Sequence, residues 1–360
     1  MIRKYIFMMM LFVLSQPVLA QHHYEFYQGI RQMAMGGAAI GVVDDETALL
    51  LNPAALGRLR TYYLTLADPV LELGSQDESY AGGYGHLTEL TDPQKALNQA
   101  NSNPGQHLHG MGEIFPSIIV PNFGIGFLGR FQEDAQVDTA KTKFDFQYTN
   151  DFAIVAGFDI PFWSGIFKIG GNAKLIDRSQ IWKTDIDPTS TTLTTGSLMN
   201  EGVGLGSDVG MILTAPIAWL PSLSAVVRDI GRTSFDLKKG MIHSATTTYP
   251  ASTPQTYNAA FSFSPILGNH TRSMWTFEYE DISNAYKDKI ATRHYHAGVE
   301  INLGDFFFVR GGYNEGYWTA GLELAMGNYQ IQLTSYGEDV STTTTPQEDR
   351  RYMGGFAIRF

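Results

Sequence analysis

The sequence predicts an all-β fold: a transmembrane outer-membrane β-barrel of about fourteen antiparallel strands with an N-terminal plug in its lumen. Three observations carry that expectation. The last ten residues, Arg351 to Phe360, alternate, with Tyr352, Gly354, Phe356, Ile358 and Phe360 on one face and Arg351, Met353, Gly355, Ala357 and Arg359 on the other. The chain begins with a segment built for export, and beyond it no stretch of 18 residues is continuously apolar. A chain with such segments crosses a bilayer only as a closed barrel, because lipid offers no partner for an unpaired strand edge.

Residues 1–20 carry Arg3 and Lys4, then the apolar run Tyr5 to Leu14, then Ser15-Gln16-Pro17-Val18-Leu19-Ala20. This reads as a cleaved secretory signal peptide, since its apolar run falls short of a membrane-spanning helix. With Gln at position 21, no lipidated cysteine follows.

Composition narrows the function classes. Lys and Arg number 25 against 36 Asp and Glu, a formal net charge of −11, which argues against nucleic acid as a partner. The absence of cysteine removes thiolate metal sites, disulfides and cysteine catalysis. The 37 Gly and 15 Pro are scattered, so no linker divides the mature chain. The expected organisation is therefore a signal peptide over 1–20, a plug over 21–59 and a barrel over 60–360.

Residues 29 to 59 do not read as barrel. Gly29 to Val43 is rich in small residues, Asp44 to Leu51 looks like a capped short helix with acids at its positive end, and Asn52-Pro53 ends it. Gly36 and Gly37 permit close backbone packing inside a lumen and Asn52-Pro53 fixes a turn, so these four residues are the candidate gating positions.

In the last third of the chain alternation is consistent, as in Trp275, Phe277 and Tyr279 against Thr276, Glu278 and Glu280. Connection lengths supply a second test, because barrels of this class have short periplasmic turns and longer outer loops. With a periplasmic C-terminus, outer loops fall at Gly337–Arg350, Asp281–Ala291, Arg232–Thr256, Trp182–Glu201, Glu133–Thr142 and His86–Gly110; the one near Asn314-Glu315-Gly316 is short. The count is fourteen strands from about Ser79 to Phe360, or fifteen with Arg60 to Ala67. Both chain ends on one side require an even number, so fourteen is expected and Arg60 to Ala67 is left out.

The alternation turns Glu278, Glu280, His294, His296, Glu300, Arg310 and Glu323 toward the lumen. Imidazole and carboxylate could hold a metal or exchange protons, but a solvated lumen wall is the plainer account, and neither a metal nor a cofactor is expected. Phe306 and Phe308 share the face of Arg310 and are lumen candidates. Gly202-Val203-Gly204-Leu205-Gly206 has the look of a nucleotide loop but lies in a strand with no helix after it. Trp163, Trp219, Trp275 and Trp318 fit interfacial girdles.

The residues Arg31, Met35-Gly36-Gly37-Ala38, Asp44-Asp45 and Asn52-Pro53-Ala54-Ala55-Leu56 resemble the FadL-type outer-membrane transporter superfamily. Asp208-Val209-Gly210, Arg228-Asp229-Ile230-Gly231, Arg310-Gly311-Gly312-Tyr313-Asn314 and Glu348-Asp349-Arg350-Arg351-Tyr352 resemble its PorV-like and TraF-like branches. The resemblance implies a fourteen-stranded barrel with an N-terminal luminal plug and either of two roles. One is passive, plug-gated passage of small hydrophobic compounds through the outer membrane, without enzymatic chemistry. The other is a PorV-like scaffold for protein export or conjugation, with an exported protein as partner. Either way the chain meets outer-membrane lipid, and Phe356, Ile358 and Phe360 form the signal read by the barrel-assembly machinery.

Overall fold

A computed structural model of the chain describes residues 24–75, 92–242, 248–288, 290–341 and 345–360. Its strands close into a ring of fourteen antiparallel staves. In chain order these are β1 (Tyr63–Ala67 continued by Val70–Gly74), β2 (His107–Ile114 and Ser117–Val120), β3 (Phe123–Val137), β4 (Phe144–Phe162), β5 (Phe167–Ile186), β6 (Asn200–Thr214) and β7 (Ser222–Arg228). They continue as β8 (Thr256–Phe263, with Ile266–Gly268), β9 (Thr271–Tyr279), β10 (Tyr295–Leu303), β11 (Phe307–Asn314), β12 (Tyr317–Met326), β13 (Tyr329–Asp339) and β14 (Glu348–Arg359). Each stave pairs with its sequence neighbours, and β14 returns to β1 through Thr65↔Arg359 and Val70↔Gly355. Phe360 and Leu64 exchange both backbone hydrogen bonds, at 2.9 and 3.0 Å, so the last residue of the chain completes the closure.

The expected number of strands is met by a different set. The segment left out, around Arg60 to Ala67, supplies the first stave, whereas most of the strand expected from Ser79 falls outside the described residues. Proline explains the misreading, since Pro69 lacks the amide a ladder needs and splits the stave in two. Phe115-Pro116 splits β2 beside it, and the Phe115 amide turns to Asp68 Oδ1 at 2.6 Å.

Period-two alternation sorts the wall. Phe127, Phe152, Ile154, Leu175 and Leu205 project outward and are exposed, while Arg130, Asp151, Lys174 and Arg178 point inward and are buried. An apolar outer band with charge inside inverts a soluble protein and suits hydrocarbon. No described helix is long and apolar enough to cross a membrane. β4 and β5 run to 19 and 20 residues, well past the ~9–11 a tilted span needs. Their extra length carries Phe144, Phe146 and Ile181, whose outward face is covered by helix α3 (Pro93–Ser102) through Ala96, Leu97 and Ala100.

Both barrel termini lie at one end of the ring, where the connections are mostly shorter than at the other; at that other end residues 138–143 and the turn Glu315-Gly316 are the short ones. Trp163 and Trp219 protrude at the short-turn end.

Candidate functional site

Residues 24–59 pack against the inward side of the wall. They form helix α1 (Ile30–Ala34), a turn in which Gly36 and Gly37 take φ of 69° and 79°, helix α2 (Ala48–Leu51) and a 3-10 turn over Pro53–Arg58. Helix α2 is shorter than the sequence suggests, and Asp45 Oδ1 accepts the amide and hydroxyl of Thr47 just ahead of it, at 2.9 and 2.5 Å. Asp44 and Asp45 also bind Arg31, at 2.6 and 2.8 Å. Asn52 is extended, accepts the Ala54 amide on Oδ1 at 3.2 Å and donates from Nδ2 to the Ile40 carbonyl at 2.8 Å, so it ties both halves of the segment together.

Glycine sets how closely the segment approaches. A Cβ on Gly36 would collide with the backbone of Ala297 and Tyr313, and one on Gly312 would meet the Gly36 amide. Across the lumen, Asn52 sits against Gly210 and Pro53-Ala54 against Gly170. At Gly36, Gly312 and Gly170 backbone lies on backbone, and at Gly210 the Asn52 side chain lies on the wall backbone, closeness that a side chain on these glycines would forbid.

Polar wall residues satisfy the segment's backbone. Glu278 accepts the Ala39 and Ile40 amides at 2.9 and 3.2 Å, and Asn172 donates to the Leu49 carbonyl at 2.8 Å. His296 Nδ1 lies 3.0 Å from both the Gly36 carbonyl and Asn314 Oδ1, and its Nε2 is 3.4 Å from Glu280. His294 bonds the Glu280 carbonyl at 2.8 Å. Glu300, Arg310 and Glu323 form a chain with Arg31. Arg31 contacts Glu300 at 2.9 and 3.1 Å, Arg310 contacts Glu300 and Glu323 at 2.6 Å each, and Gln332 donates to Glu323 at 2.7 Å. Among the described residues no group of three or more His, Asp or Glu is arranged to hold a metal. Phe308 lies by the Arg310 guanidinium at 5.4 Å, whereas Phe306 falls in the turn before β11 and is exposed, because a turn does not keep the strand's alternation.

The partners that sequence reading did not single out as a site are Arg31, Asp44, Asp45, Glu46 and Arg359. Their signal was charge: four of them stand in a segment otherwise rich in small and apolar residues, and Arg359 belongs to the polar face of the last strand. Glu46, wholly buried, pairs with Arg359. Burial pushes its carboxyl up, Arg359 opposes the shift and Asp45 adds to it, leaving it at about 7. Burial also raises Asp45, but Arg31 and Arg359 outweigh it and hold that carboxyl at about 2.

Two cavities adjoin the segment. One, of about 40 Å³, lies between Ile30, Val42, Val43 and the β14–β1 seam, and it is bounded by Asp68, Val70 and Phe356. The other, of about 280 Å³, opens among Arg31, Asp44, Arg272, Glu300, Asp305 and Arg310. The first holds only a few waters.

A closed antiparallel ring with an apolar exterior and a charged, occupied lumen is an outer-membrane β-barrel. Its fold is similar to the solved toluene transporter TodX of Pseudomonas putida, at 11% identity and a TM-score of 0.52 over 93% of this chain and 98% of that one. It is likewise similar to the toluene transporter TbuX of Ralstonia pickettii (12% identity, TM-score 0.51, 92% and 98% coverage) and to the monoaromatic hydrocarbon channel CymD (8%, 0.52, 92% and 96%). At such identities the likeness is one of fold. No protein-family model matches the chain, and no curated protein matches it.

Proposed function

We propose that this protein is a passive outer-membrane channel for small hydrophobic compounds, of the FadL-type superfamily, with residues 21–59 as its plug. One observation carries the reading: the small cavity lies where the wall ladder lapses. Regular pairing between β14 and β1 stops at Ala67↔Ile358 and resumes at Val70↔Gly355, and across Asp68-Pro69 the Phe356 amide still donates to the Pro69 carbonyl, at a long 3.3 Å. On its other side β1 loses its ladder to β2 over the wider stretch Leu66 to Pro69, between Thr65↔Ser117 and Val70↔Glu113. The cavity reaches inward to Ile30 and Met35 of the plug and outward to Phe356, which faces lipid. An apolar solute released there passes sideways into hydrocarbon without meeting water.

As it stands the cavity is too small for even a single aromatic ring, so passage requires the plug to shift. Residues 1–20 serve as the cleaved export signal in this reading, and the barrel-assembly machinery reads Phe356, Ile358 and Phe360. The experiment is uptake of radiolabelled toluene by cells carrying the barrel with and without residues 29–59. Altered uptake supports a gating plug; unchanged uptake with an intact barrel rejects it.

A further inference from the structure

β7 ends at Arg228 while its neighbour β6 extends to Asn200, and the chain after β7 continues in the same direction along the part of β6 that β7 leaves uncovered. Ile230 donates to the Ser207 carbonyl at 2.9 Å and Leu237 to Val203 at 3.1 Å, and Lys238–Lys239 pair with Val203 and Gly202. Between these points residues 233–235 lie on the inward side of β6. Added Cβ atoms at Gly202, Gly204 and Gly206 would meet Phe235, Ser234 and Thr233 respectively. This accounts for the spaced glycines of Gly202-Val203-Gly204-Leu205-Gly206, which clear the inner wall for an infolded loop.

Two cations on the inward face of β5 each touch both this loop and the N-terminal segment. The Arg178 guanidinium lies 4.5 Å from the Phe235 ring and 4.8 Å from the Tyr24 ring, held by Asp151 at 2.8 and 2.6 Å, while Tyr24 donates to the same carboxylate at 3.0 Å. Lys174 stands 5.0 Å from the Phe26 ring and contacts Asp229 at 3.0 Å, and Asp229 accepts the Thr233 hydroxyl at 2.8 Å. Phe235 is buried in the same apolar cluster as Tyr27 and Leu49 of the segment.

We infer that residues 229–239 form a second gate at the long-loop end, with Phe235 as its stopper, and that Arg178 and Lys174 couple it to the N-terminal segment so that the two open together. The inference extends the channel reading, but its test reads accessibility rather than uptake, so either can fail alone. The chain has no cysteine, so a single introduced thiol reports cleanly. Thr233→Cys, at a buried position, is the reporter and Ser234→Cys, at an exposed one, is the control. Each is reacted with a membrane-impermeant maleimide on folded protein. The thiol of Thr233→Cys is expected to react at least about tenfold more slowly than that of Ser234→Cys, as a locally protected site does.

Phe26→Leu, which loses the ring beside Lys174, and Tyr24→Leu, which loses the ring beside both Arg130 and Arg178 and the bond to Asp151, should each speed labelling of Thr233→Cys at least about fivefold, as loss of a cation–π contact implies. Phe235→Ala should do the same from the loop side. Equal reactivity of the two single-thiol variants in the otherwise unchanged protein would overturn the gate. Labelling that answers to Phe235→Ala but to neither segment substitution would overturn the coupling.

Discussion

Arg31 grips both carboxylate oxygens of Glu300, at 2.9 and 3.1 Å, across 269 residues of sequence. The pair joins helix α1 to the middle of β10, and Arg310 holds the same carboxylate from β11. Like Glu46–Arg359, it is a charged tie between the N-terminal segment and the wall. With Arg31 partly exposed and Glu300 buried, Arg31→Ala should weaken docking by on the order of 2–3 kcal/mol, between the exposed and buried limits for an ion pair. Limited proteolysis within residues 24–59 should quicken at least tenfold while the barrel band persists on an unboiled gel.

Gly36→Ala should undock the segment by a different route. The position has φ of 69°, and the new methyl would press on the Ala297 and Tyr313 backbone, which is fixed in the ladder. Strain and overpacking together cost about 2–4 kcal/mol. Faster proteolysis of the segment with unchanged barrel melting is the expected outcome, and Gly312→Ala, facing the same contact, should reproduce it.

The barrel was legible in the sequence because its determinants are local. Alternation in Trp275 to Tyr279 and Tyr352 to Phe360, with the rhythm of short turns, needed no knowledge of what lies across the lumen. The first stave was not legible, since Asp68-Pro69 interrupts the alternation of Leu66 and Leu71 and the break acquires meaning only beside Phe115-Pro116. Gly36, Gly37, Asn52 and Pro53 stood out by residue type, and their wall partners Gly298, Gly312, Gly170 and Gly210 looked like ordinary strand glycines. Phe235 was invisible for a related reason: an apolar residue in a polar loop signals nothing until the loop is seen to fold inward.

Docking of the segment should depend on pH through Glu46. Its carboxyl is raised to about 7 from an ordinary 4.5 by burial, despite Arg359. A raised carboxyl binds its proton more tightly when docked, so the stabilisation is full below about pH 4.5 and is lost as pH rises through about 7. The shift corresponds to about 3 kcal/mol at most. Hydrogen-exchange protection factors in residues 40–56, corrected for the intrinsic pH dependence of amide exchange, should therefore be higher at pH 5 than at pH 8, and Glu46→Gln should flatten that difference.

We propose two separable roles for Phe360, in closure of the ring and in insertion. Its backbone closes the ring onto Leu64 and its ring is exposed on the lipid side. Phe360→Ala keeps the backbone pair, so refolding into detergent should proceed normally while insertion in cells falls severalfold. Deleting the residue removes both hydrogen bonds and should lower the folded fraction in detergent as well.

The claim that the segment gates an apolar path through the seam is met most directly by the uptake rate of radiolabelled toluene. The comparison is among cells with no barrel, with the parent protein and with Arg31→Ala, matched for the amount of folded barrel. The predicted order is lowest without the barrel, higher with the parent and severalfold higher again with Arg31→Ala. Equal rates in all three would contradict it.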